Sequence, residues 1–149
     1  MKDFFVDEVP KALEKLTAET EPKWGGMTAQ HMIEHLVGSW RISNGRAQVQ
    51  LMTPEERLPA YRQFLFSDEP YKKNLMNPIF ANGLPPLRKE SLDAAVQQLI
   101  DEMWMFFEYY NEHPEATFIH PVFGELDKEG WLTFQRKHMG HHLTQFGVL

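Results

Sequence analysis

Apolar residues return every third or fourth position along four long stretches of this chain, a period that suits helices and little else. Phe4, Phe5, Val9, Ala12, Leu13 and Leu16 predict a first helix over residues 3 to 17, with Pro10 either kinking it or marking its true first turn. A polar loop follows. The second helix starts at Thr28, a capping residue, carries Met32, Ile33, Leu36, Val37 and Trp40 on one face, and stops at Ser43-Asn44-Gly45. Thr53-Pro54-Glu55-Glu56 has the form of a capping box and predicts a lesser helix to about Ser67, interrupted at Pro59. Ser91 caps a third long helix with Leu92, Val96, Leu99, Ile100, Met103, Phe106, Phe107 and Tyr110 on a broad face, ending near Asn111. After the connection HPVFG at 120–124, Asp127 caps a last helix on which Trp131, Phe134, His138, His142 and Gln145 share a face, and Gly147 closes it.

The expected fold is therefore all-α, a four-helix bundle in one domain over residues 1–149, with no strand. Between the second and third main helices lies a long irregular loop. Its stretch from Asp68 to Arg88 holds Pro70, Pro78, Pro85 and Pro86 and shows little periodicity. Tyr71, Leu75, Met76, Ile79, Phe80, Leu84 and Leu87 predict that it packs on the helices as a lid or wall.

With 42% hydrophobic residues in 149, the chain can bury a core without covalent staples. It has no cysteine, which excludes disulfides, cysteine-based zinc sites and thiol nucleophiles. A formal net charge of -6, with nothing more basic than pairs such as Lys72-Lys73 and Arg136-Lys137, argues against nucleic acid as a partner. The opening MKDFFVDEVPKALEKL reads as an acidic amphipathic helix and not as a leader. No apolar run reaches the ~18 residues of a membrane span. A cytoplasmic address is expected.

Five of the seven histidines fall in two short segments, His31-Met-Ile-Glu-His35 and His138-Met-Gly-His141-His142. Residues four apart share a helical face, so two imidazoles one turn apart can converge on one metal ion. Two ligands from the last helix and one from a facing helix would make a three-histidine site with a position open for water or substrate. On the second helix His35, beside Leu36-Val37, is the favoured ligand. His31 lies in the first turn, as a supporting or surface residue. On the last helix His138 can pair with His141 or with His142, and periodicity leaves both open.

The two segments, in this order on these helices, resemble the DinB-like superfamily, also described as YfiT-like metal-dependent hydrolases. WGGMTAQHMIEHL (24–36) is similar to that superfamily's second helix, and KHMGHHLTQFG (137–147) to its last helix with H-x-x-x-H-x-x-Q. HPVFGEL and QFG resemble a branch defined only as a domain of unknown function. The resemblance implies ligands at His35, His138 and His142, with Gln145 as the glutamine that follows. It also implies an up-down-down-up bundle, a divalent ion such as Ni²⁺, Zn²⁺ or Fe²⁺, frequent homodimers, and small-molecule substrates that in some relatives include a low-molecular-weight thiol. The chain departs from the pattern at Leu143-Thr144, where members often carry Arg-Gly. A basic group near the site is absent there.

Other residues carry weaker expectations. Trp24, Trp40, Trp104 and Trp131 read as core, with Trp24 or Trp131 as possible pocket walls. His120 is a candidate supporting donor to the site or the holder of a turn. Glu34 and Glu108 are candidate general bases but are expected to face solvent, as is His113.

Overall fold

The computed structural model describes residues 3–73 and 83–149. A widened π-helical turn, Phe4–Glu8, leads straight into α1, Val9–Lys15. Pro10 explains the junction. It has no amide hydrogen to offer the preceding turn, and that turn widens so that Val9 N–H reaches Phe4 O. The other helices are α2 (Ala29–Ser43), α3 (Leu58–Leu65), α4 (Leu92–Glu112) and α5 (Lys128–Gln145).

Three of these helices begin at the expected caps. Thr28 Oγ1 accepts from His31 N–H at 3.2 Å, Ser91 Oγ from Ala94 N–H at 3.1 Å, and Asp127 Oδ1 from Gly130 N–H at 2.9 Å. Two ends differ from expectation. The Thr53-Pro54-Glu55-Glu56 segment opens a 3₁₀ turn, Glu55–Arg57, with no side-chain cap, and α3 follows it. Pro59 does not interrupt α3 but lies in its first turn, where an amide hydrogen has no helical acceptor to lose. At the other end of the chain, Gly147 (φ +71°) closes α5 with paired bonds, Gly147 N–H to Thr144 O and Val148 N–H to Leu143 O.

Residues 118–126 correct the expectation of no strand. β1 (Phe118–His120) pairs antiparallel with β2 (Gly124–Leu126) in the register Phe118↔Leu126, Ile119↔Glu125 and His120↔Gly124. Three-residue strands are too short to show a period of two in the sequence. The turn between them relies on Gly124 at φ +78° and on His120, whose Nδ1 accepts the N–H groups of Val122 and Phe123 at 3.0 and 3.2 Å.

One apolar cluster draws on α1, α2, α4 and α5, with Trp40, Phe106, Leu99 and Trp131 fully buried. Asn44 at the end of α2 bonds Glu102 in the middle of α4, and Gln30 at the start of α2 bonds the Lys89 carbonyl just ahead of α4, so these helices run parallel. Helix α5 runs antiparallel to α2, since His35 faces His138 and Ser43 faces Gln135. Of the four tryptophans only Trp40 and Trp131 are core. Trp104 is 58% exposed on the outer side of α4, and Trp24 lies half-buried in the loop before α2. Among the described residues no helix is long and apolar enough to cross a membrane.

The irregular segment meets its expectation in part. Tyr71 packs against Phe64 and the histidines of α5, whereas Leu84 and Leu87 are exposed. Leu75, Met76, Ile79 and Phe80 lie outside the described residues. Gly45 ends α2 at φ +79°, and a Cβ there would stand 2.5 Å from Phe118 Cζ. Gly45→Ala therefore combines left-handed strain with a clash against β1, and is expected to lower stability by about 2 kcal/mol in thermal or urea denaturation.

Candidate metal centre

His35 comes from the second turn of a helix whose neighbours Ile33, Leu36 and Val37 are buried, and its ring is partly buried beside them. His138 and His142, one turn apart on α5, approach from the opposite wall. The potential ligand nitrogens of the three rings all lie within 4.8 Å of one another. Nε2 of His35 is 3.0 Å from Nε2 of His138, and the ring centroids are 4.7 to 5.0 Å apart in edge-to-face pairs. His138 and His142 are each 9% exposed.

Burial pushes all three rings away from the cationic form, His35 to about 3, His142 to about 4 and His138 well below the ordinary histidine value. Their mutual repulsion lowers them further. At 3.0 Å one neutral imidazole can donate its Nε2–H to the other's Nε2, or both can turn their lone pairs on one cation. With Nε2 or Nδ1 of His142 close to both, the three rings form a set that could hold one cation. Separations of ~3 Å are also those of two nitrogens that bind one ion at ~2.1 Å. Nε2 of His138 faces His35, while its Nδ1 is buried without a hydrogen-bond partner among the described residues.

Gln145 fixes the third ring. Its Nε2 donates to Trp24 O at 2.8 Å, so its Oε1 must face His142 Nδ1, also at 2.8 Å, and accept that nitrogen's proton. His142 then presents an unprotonated Nε2 to the cluster. The bond to Trp24 O requires the loop to approach closely. Gly25, at φ +83°, permits it, because a Cβ there would come within 2.8 Å of Gln145 Nε2.

The other sequence candidates lie around this centre. His141 is half-buried at its edge, 5.0 Å from His142 and between the rings of Trp24 and Tyr71 at 5.5 and 5.6 Å. His31 stands apart from the cluster. Its Nε2 donates to Pro85 O at 3.0 Å, and its Nδ1 accepts from the Thr28 hydroxyl at 2.7 Å. His120 holds the hairpin turn, buried between Phe134 and Trp131, and burial takes it to about 3. Trp131 is a core residue whose ring neighbours are His120 and Phe134, not the three histidines.

Glu34 corrects the expectation of a solvent-facing carboxylate. It is buried, accepts the N–H groups of Arg88 and Lys89 at 2.7 and 3.2 Å and the Gln30 amide at 2.9 Å, and pairs with the Arg88 guanidinium at 3.4 Å. Although burial opposes the shift, these bonds hold its carboxyl below the usual range. It is a clamp on the returning loop, with no acceptor left for a substrate proton. Glu108 and His113 are exposed, as expected.

Two neighbours of the rings were not among the site candidates read from the sequence. Phe134 stacks on His138 at 4.9 Å with 24° between planes, and Tyr71 meets the rings of His138 and His141 at 6.4 and 5.6 Å. Phe134 was visible as a residue one turn from His138, but Tyr71 belongs to a segment with no periodicity to place it.

A sequence model described as the DinB superfamily matches residues 6–146. No curated protein and no solved structure matches the chain.

The depressed histidines set an acid response. Below their ordinary value of 6.5 the unfolded chain takes up protons that the folded chain refuses until about 4 and 3. The metal-free protein is therefore expected to lose stability as pH falls from 6.5 toward 4, while these groups contribute no slope above 6.5. Urea midpoints measured across that range check the sign.

Proposed function

The chain belongs to the DinB superfamily, and from that premise we propose that it is a metal-dependent enzyme acting on a small electrophile, by hydrolysis or thiol transfer, at a divalent ion held by His35, His138 and His142. The observation that carries this reading is the convergence of three imidazoles within 4.8 Å, two buried and His35 partly buried, drawn from two facing helices. When bound, such an ion supplies a Lewis acid that polarises a carbonyl or eases the ionisation of water or a thiol. The chain's own residues do the rest. Gln145 sets the tautomer of His142, Phe134 fixes the ring plane of His138, and Trp24, Tyr71 and His141 wall one side against water. A donor set of three imidazoles without a carboxylate suits nickel, zinc and iron(II) alike.

The same reading takes α1, α2, α4 and α5 as an up-down-down-up four-helix bundle in a single domain, with α3, the hairpin and the long irregular loop as additions. The partners that go with it are a small-molecule substrate, a low-molecular-weight thiol and a second copy of the chain, in the cytoplasm. The exposed Trp104 of α4 supports a homodimer face.

One observation favours a non-catalytic metal-binding module instead. Among the described residues no carboxylate stands ready as a general base near the histidines, since Glu34 is clamped and Glu108 faces solvent. Turnover of a panel of activated esters, amides and thiol-reactive electrophiles, dependent on added metal, separates the two readings.

Elemental analysis of the untagged protein is expected to find about one divalent ion per chain, lost in His138→Ala with the helical circular dichroism retained. An untagged protein loaded with nickel or zinc that retains none would remove the proposal. Gln145→Leu frees the His142 tautomer and is expected to weaken metal affinity by about 10- to 100-fold in competition with a chelator.

A further inference from the structure

The three-histidine donor set brings no negative charge of its own. Among the described residues the charges that act on its rings are those of the rings themselves and of His141 and His120, and none is a carboxylate. A divalent ion held there would keep its full charge and would favour an anionic ligand. Beyond His141 the wall continues through Trp24, and above that ring, 4.8 Å from its centroid, stands the ammonium of Lys73. Its positive charge reaches His141 and adds to the lowering that burial causes.

Lys73 is available in a way that the nearby Lys137 is not. Lys137, next to His138 in sequence, spends its donors on the carbonyls of Ser67 (3.0 Å) and Glu69 and rests over the Phe64 ring. Among the described residues no carboxylate or carbonyl partner is recorded for Lys73, which rests on the face of Trp24. The basic group missing at Leu143-Thr144 is thus replaced at the wall by a lysine from a different part of the chain.

Resting on the metal reading above, we propose that the site takes a small ligand with two anionic groups, one directed to the ion and the second to Lys73, with the ligand's body lying along Trp24, His141 and Tyr71. Lys73 is a specificity residue in this scheme and takes no part in holding the metal. A partly exposed ion pair of this kind is worth about 1 kcal/mol, or about fivefold in affinity.

The test uses the full chain loaded with cobalt(II), whose visible absorption reports metal occupancy and ligand arrival separately. Succinate is compared with its monoamide, succinamate; both keep one carboxylate for the ion and only succinate has a second for Lys73. Succinate is expected to bind about fivefold more tightly in the native chain, the ratio falling to about one in Lys73→Met and surviving in Lys73→Arg. Equal binding in the native chain, or a preference that persists in Lys73→Met, overturns the inference while leaving the metal reading intact. A chain that takes up no cobalt overturns both.

Discussion

The facing of α2 and α5 is the contact on which the rest of the structure depends. Trp40 fills the space between them and donates from Nε1 to Met139 Sδ at 3.3 Å, and Ser39 and Ser43 bond Gln135 from successive turns of α2. These ties lie one and two turns from His35 and fix both the spacing and the rotation of the two helices. Without them the apolar faces would still attract, but the three imidazoles would have no fixed distance. Packed interiors tolerate little slack, so a shift in the Trp40 layer is felt at the histidines.

Polar groups are buried in this molecule where they hold irregular backbone onto that helical frame. Glu34 and His31 secure residues 85–89 to α2, Lys137 holds the carbonyls of Ser67 and Glu69 to α5, and Gln145 ties the Trp24 loop to the end of α5. Each bond is also next to a histidine of the cluster in sequence or one turn away. The side chains that organise the loops therefore organise the wall around the site, and the centre and its surroundings are positioned together. At the far end of α2 the buried Glu102, joined to Asn44 and Arg46, does the same for the α2–α4 contact. An unpaired carboxylate at that depth would be strongly unfavourable.

The sequence was legible where one physical rule governed many residues at once. The helices follow from apolar period and caps, and Thr28, Ser91, Asp127 and Gly147 mark their ends because terminal backbone groups need those partners wherever a helix stops. Pro10 was left between a kink and a first turn and Pro59 was read as an interruption, whereas both lie in the first turn of their helices. The hairpin escaped because three-residue strands leave no pattern. Glu34 was misread because a carboxylate beside an apolar face looks the same in sequence whether water or a returning loop meets it. Trp104 was misread as core because indole favours burial only when another element is there to cover it.

What the sequence alone determined was the helical content, the order of the elements, and the one-turn spacing of histidines on two separate helices. These depend on interactions between residues a few positions apart, which any chain carries in its local pattern. Which imidazoles meet was decided only by the tertiary structure. It brought His35 to His138 and His142, bonded His31 to the loop at Pro85, left His141 at the edge, and set Tyr71 against His141 and Lys73 over Trp24. Those choices rest on contacts across about a hundred residues of chain, fixed by the rotation of packed helices about their axes, and that rotation is a property of the assembled core and of no single segment.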